Sequence, residues 1–155
     1  MAFTFAQAVT ITSTGAGGDW STAATWSPAQ VPTSSDDVII ASGSPVTSSA
    51  GNLACLSLTV NNGAILTVWR PIIVSATTSV TGTINFGSSS ATSRLMTFTG
   101  AVTLNSGAVW NETTTGAAAT FSFVNSFTNN AKTFTAQNTA HGFSGATMSL
   151  SEAVQ

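Results

Sequence analysis

The run Leu56-Ser57-Leu58-Thr59-Val60 alternates apolar and polar residues, breaks at Asn61-Asn62-Gly63, and resumes as Ile65-Leu66-Thr67-Val68-Trp69. This unit, two short runs hinged on a turn, limits what the chain can fold into more than any other feature. A period of two is strand geometry with one buried face. Asn and Gly at the break tolerate positive φ and turn the backbone sharply. Comparable runs follow throughout: Val38-Ile39-Ile40, Ile72-Ile73-Val74, Thr83-Ile84-Asn85-Phe86, Leu95-Met96-Thr97-Phe98-Thr99, Thr120-Phe121-Ser122-Phe123-Val124 and Thr147-Met148-Ser149-Leu150. The turn itself recurs at Asn105-Ser106-Gly107. No stretch supports a helix of three turns, since the Ala-rich patch Gly116-Ala117-Ala118-Ala119 is too short to propagate one. The chain reads as all-β.

Run centres near Ile39, Leu58, Val80, Phe98, Phe121 and Phe143 fall roughly 20 residues apart, within the range of solenoid repeats. Two short runs per interval imply several faces per turn, so a β-solenoid is expected. The alternative is an antiparallel jelly roll or β-sandwich, which requires a hairpin across Asn62-Gly63. Many runs span only three residues, short even for sandwich strands, which favours the solenoid.

Residues 18–40 differ from the rest. They hold two of the four Trp, two of the four Pro and three of the five acidic residues. A solenoid ends in an open apolar cross-section with unpaired backbone groups. Trp20 and Trp26 have the area to cover it. Pro28 and Pro32 withhold a backbone donor and so end a sheet instead of extending it. Asp36 and Asp37, placed before Val38-Ile39-Ile40, can accept from backbone N–H groups of the turn. Trp20, Trp26, Pro32, Asp36 and Asp37 are therefore expected to form a structural cap. A calcium site at Asp19, Asp36 and Asp37 is the rival reading, but calcium requires six to eight oxygens. The expected organisation is an N-terminal strand or arm over 1–17, the cap over 18–40, solenoid rungs over 41–150 and a tail over 151–155.

The succession Gly18-x-Trp20, Thr25-Trp26, Val31-Pro32, Asp36-Asp37-Val38-x-Ile40 resembles the segment that leads into the rungs of right-handed parallel β-helix proteins of phage virions and bacterial adhesins. Leu58-Thr59-Val60-Asn61-Asn62-Gly63-Ala64-Ile65-Leu66-Thr67-Val68 is similar to their rungs. The resemblance implies a short right-handed parallel β-helix and says little about activity.

Composition narrows function by exclusion. Charged residues make up 5% of the chain, against about 25% in average domains. Arg70, Arg94 and Lys132 are scattered, so no basic patch exists to meet nucleic-acid phosphates. No apolar run approaches the ~18 residues of a membrane span. The first eleven residues lack Lys and Arg and an apolar run, so they do not read as a signal peptide. On that reading the chain stays in the cytoplasm until assembly, or a signal has been removed.

Catalytic chemistry lacks its parts. Cys55, the sole cysteine, sits in an apolar run and reads as a buried small hydrophobe. His141, the sole histidine, has no acidic neighbour in sequence and reads as a turn or surface residue. Zinc fails for want of ligands. Polysaccharide lyases built on β-helices use Asp clusters with Lys or Arg on one face, and no such cluster is visible. Trp69 beside Arg70 fits either a sugar platform or a core or interface Trp.

The expectation is a non-enzymatic structural protein with no metal or cofactor. The setting that the resemblance implies is a phage virion, as a capsid decoration (cement) protein or fibre component. Its partners would be itself, as a homotrimer, and virion proteins such as the major capsid protein. Phe3, Phe5, Val9 and Ile11, on an N-terminal strand, are the expected interface. The alternative is a secreted bacterial adhesin or carbohydrate-binding β-helix module at the cell surface.

Overall fold

The computed structural model describes residues 8–87, 94–112, 119–136, 141–144 and 148–150. Their strands are β1 (Thr10–Ser13), β2 (Gly18–Asp19), β3 (Trp26–Ser27), β4 (Asp37–Ile40), β5 (Pro45–Ser48), β6 (Leu53–Cys55), β7 (Ser57–Val60), β8 (Ile65–Val68), β9 (Ile72–Val74) and β10 (Thr78–Val80). They continue with β11 (Thr83–Phe86), β12 (Arg94–Phe98), β13 (Val102–Leu104), β14 (Val109–Glu112), β15 (Ala119–Phe123), β16 (Phe127–Asn129), β17 (Thr133–Thr135), β18 (His141–Phe143) and β19 (Met148–Leu150). The one described helix is a three-residue 3-10 turn, Ala23–Thr25.

Every third strand falls in the same sheet. Sheet 1 runs β3-β1-β4-β7-β10-β13-β16-β19, sheet 2 runs β2-β5-β8-β11-β14-β17, and sheet 3 runs β6-β9-β12-β15-β18. All described pairings are parallel except β1 with β3. The chain is thus a three-faced parallel β-solenoid of about five turns. The sandwich alternative is excluded. Asn61-Asn62-Gly63 links β7 in sheet 1 to β8 in sheet 2, so it turns a corner and closes no hairpin. Gly63 and Gly107 both sit at positive φ, as that corner requires. In the third turn the corner shortens to Thr81-Gly82, and a Cβ on Gly82 would lie 2.3 Å from the carbonyl oxygen of Asn61.

Register makes the core a set of stacked columns. Val38, Leu58, Thr78, Val102 and Phe127 stack inside sheet 1. Val46, Leu66, Ile84, Trp110 and Phe134 stack inside sheet 2. Cys55, Val74, Phe98 and Phe123 stack inside sheet 3, and Phe143, 43% exposed, continues that column at the last turn. The first turns are filled by aliphatic side chains. The later ones are filled by an aromatic cluster centred on Trp110, which lies 4.5 Å from Phe86 and 6.2 Å from Phe134, centroid to centroid.

The repeat is less regular than the run centres imply. Ile39, Thr59 and Ser79 stack in register, 20 residues apart, in sheet 1. Phe98 and Phe123, however, belong to sheet 3. The series of centres therefore slips from one face to another after Val80, because the links from β11 to β12 and from β14 to β15 are longer than those in earlier turns.

The expected boundaries also shift. Pairing starts at Thr10, and Asp37–Ile40 is a full strand of sheet 1, so the solenoid encloses residues 18–40 instead of following them. Of the expected N-terminal strand, Thr10–Thr12 pair with β4, and β3 pairs with Thr12 and Ser13 on the other edge of β1. Ile11, expected at an interface, is fully buried, and Val9 packs against the core. Phe3, Phe5 and the tail 151–155 lie outside the described residues.

Candidate functional site

Two polar constellations stand out among the buried polar residues. One is at the start of the solenoid and the other runs along a single corner.

The first centres on residues 18–40, the segment expected to form a cap. Trp20 and Trp26 are both buried, packed edge to face at 5.0 Å, and the Trp26 indole Nε1–H donates to the Trp20 carbonyl at 2.8 Å. Pro32 is buried as well. The Asp36 carboxylate accepts from the Thr33 N–H at 2.8 Å, the Thr33 hydroxyl at 2.7 Å and the Val9 N–H at 3.3 Å. Burial pushes its carboxyl pKa up, but these bonds outweigh it and hold the group below the ordinary range. The Asp37 carboxylate accepts from the Ser57 hydroxyl. Asp19 lies apart from both. Its carboxylate takes the N–H and hydroxyl of Ser21, at 2.9 and 2.6 Å, and those of Ser49, at 2.8 and 2.5 Å. Each of the three aspartates thus has protein donors of its own. No group of three or more His, Cys, Asp or Glu able to hold a metal ion occurs among the described residues.

The Asp19 contacts predict a pH dependence. Burial raises the carboxyl, but the Ser21 and Ser49 bonds dominate and lower it from 3.8 to about 2. A folded-state value below the unfolded one gives stability that is complete above the unfolded pKa and lost as pH falls through the folded one. The melting temperature is expected to drop as pH goes from about 4 to about 2, over this interval of pKa values. Asp19→Asn should flatten that drop in thermal melts at stepped pH. Parallel profiles for the two proteins would mean that Asp19 is not a source of it.

The second constellation occupies the corner between sheets 2 and 3. The inward column at the end of sheet 2 runs Ser48, Val68, Phe86, Glu112. The inward column at the start of sheet 3 runs Leu53, Ile72, Met96, Phe121, His141. Glu112 and His141 thus take inward positions that Val68 and Phe86, and Leu53 to Phe121, hold in earlier turns. Glu112 is buried, and its Oε1 accepts from the Trp110 Nε1–H at 2.9 Å. His141 Nε2 lies 3.0 Å from both Glu112 oxygens, and its ring stacks on Phe121 at 5.1 Å. His141 is therefore not a surface residue without an acid. It faces a buried carboxylate 29 residues away in sequence. Sequence reading missed the pair because only the register of β14, β15 and β18 brings it together.

Below this pair the same corner carries Trp69, Arg70 and Arg94. Trp69 is half-exposed, and Arg70 is exposed with its Nε–H donating to the Ser49 carbonyl at 3.0 Å. Arg94 is buried, at 6% exposure, with Nη1 donating to the Gly87 carbonyl at 3.3 Å. Cys55 is buried, and burial together with the charge of Asp37 pushes its thiol up to about 12, so it is no nucleophile. No protein-family model, curated protein or solved structure matches the chain.

Proposed function

We propose that the chain is a non-enzymatic structural protein that works through protein–protein contacts made by its sheet faces. One observation carries this reading. The outward positions of sheet 3 hold Ala54, Ile73, Leu95, Thr97, Thr120, Ser122 and Gly142, with no charged residue. Ile73 and Leu95 on that face are 48% and 52% exposed. Charged side chains normally blunt sheet surfaces and edges against association. A flat, charge-free face with half-exposed aliphatic groups is one that a neighbouring subunit can cover. Closed symmetry satisfies such faces without open fibre growth.

The setting we propose is a virion, with the chain as a homotrimeric decoration or fibre protein seated on capsid or tail proteins and in no contact with nucleic acid. Light scattering after size exclusion should then give three times the 15.6 kDa chain mass. The double variant Ile73→Lys, Leu95→Lys should run as a folded monomer. A wild-type monomer at all concentrations would overturn the reading. Deleting residues 1–12 is a poor test, because it removes three of the four residues of β1 from sheet 1. A second reading, an extracellular module of a bacterial surface protein, is favoured by the half-exposed Trp69 beside Arg70, a pairing suited to glycan contact.

A further inference from the structure

Arg70 and Arg94 are two of the three basic residues in the chain. Ile72 pairs with Met96, and the same register carried back two residues sets Arg70 opposite Arg94. Adjacent strands in a sheet lie about 4.8 Å apart, so the two cationic side chains start from neighbouring turns of one corner. Neither contacts a carboxylate among the described residues, where the one basic side chain within 4.0 Å of a carboxylate is His141, at Glu112. Arg94 is buried, and its Nη2 has no hydrogen-bond partner among the described residues. Burial first, and the charge of Arg70 second, lower the Arg94 pKa, which is the signature of two like charges held close.

A buried guanidinium without a counter-ion costs several kcal/mol, since the desolvation of about that size per ion is not offset by a partner. Placing a second cation beside it raises that cost. In a chain that is 5% charged, two stacked arginines are therefore a poor structural device. An oxyanion resolves the conflict. It supplies the missing acceptor to Nη2 and neutralises both cations, and the planar fork of Arg suits sulfate, phosphate and carboxylate. Arg70 is exposed, so a ligand reaches the stack from its turn. Trp69, next to Arg70, is a half-exposed residue with no aromatic partner among the described residues, a surface on which a sugar ring can stack.

We infer that Arg70 and Arg94 form an oxyanion-binding site at the corner of sheets 2 and 3, and that its ligand is a saccharide bearing sulfate or carboxylate groups, with Trp69 as the sugar contact. Such a site would serve a virion protein and a cell-surface module alike.

Isothermal titration of the full chain with a sulfated disaccharide, its unsulfated counterpart and sodium sulfate, at constant ionic strength, tests this. The sulfated disaccharide should bind saturably at one per chain, and the unsulfated form should not bind. Arg70→Gln alters an exposed side chain and should weaken binding about tenfold or more, the effect of one lost charge-assisted contact. Arg94→Met should abolish binding while melting no lower than wild type, because it removes a buried charge that lacks a partner. Trp69→Ala should reduce the disaccharide to the affinity of free sulfate. Absence of saturable binding by either anion, or wild-type affinity in Arg70→Gln, would overturn the site. Equal affinity for free sulfate and the disaccharide, unchanged by Trp69→Ala, would overturn the saccharide assignment.

Discussion

Trp26→Ala is expected to cost about 3–5 kcal/mol, the range for deleting a fully buried large side chain. The size of the effect follows from where the residue sits. Trp26 is 2% exposed and packs edge to face on Trp20. Its backbone lies in β3, the antiparallel strand that covers the open edge of β1 in sheet 1. Removing the indole leaves a cavity, deletes the bond to the Trp20 carbonyl and loosens the strand that closes the sheet. For a chain of this length each kcal/mol moves the melting temperature by about 2–4 °C, so a fall of about 6–20 °C is expected. Trp26→Phe keeps most of the area and loses the indole N–H, and should fall between the two. Thermal melts followed by far-UV circular dichroism measure all three. A Trp26→Ala protein that melts with wild type would show that the cap is dispensable for stability.

The dense contacts of residues 18–40 were legible in the sequence because their chemistry is local. Trp, Pro and Asp are rare elsewhere in the chain and dense between residues 18 and 40. Thr33 and Asp36 bond across three residues, so that contact too lies within one turn. The all-β class and the corners at Asn61-Asn62-Gly63 and Asn105-Ser106-Gly107 were equally legible, since alternation and φ preference act over a few residues. What escaped was whatever depends on register. Nothing in the sequence distinguishes a run on sheet 1 from one on sheet 3, so Val80 and Phe98 appear as successive centres although they stack in different columns. Ile11 alternates with Thr10 and Thr12 whether its partner is this chain or another, and the parallel pairing with Val38 decides for this chain. Arg70 and Arg94 look scattered at a separation of 24 residues. That separation is one turn of the solenoid at this corner. His141 and Glu112 look unrelated for the same reason.

The largest effect in the later turns is expected at Trp110. It is fully buried, and its ring lies against Phe86, Phe98, Phe121, Phe123, Phe127 and Phe134. Its indole Nε1–H is one of the donors that hold the buried Glu112 carboxylate. Two losses therefore combine in Trp110→Ala. The cavity among the rings costs about 3–5 kcal/mol, and a buried charged acceptor deprived of one donor adds about 1–3 kcal/mol. Unlike Trp26 at the edge, Trp110 belongs to the fourth turn, with strands of sheet 2 paired on both of its sides. The surrounding columns cannot collapse without breaking register, so the upper part of that range applies. Trp110→Phe separates the contributions, because it retains most of the ring packing and removes only the N–H donor. It should lose about 1–3 kcal/mol, the cost of the hydrogen bond to the carboxylate. Glu112→Leu in the Trp110→Phe background should recover part of that loss, since a buried polar contact replaced on both sides by apolar groups can be nearly neutral. A double-mutant cycle in urea denaturation reads the coupling directly. Additive losses for Trp110→Phe and Glu112→Leu would show that the indole–carboxylate contact contributes nothing to holding the fourth turn.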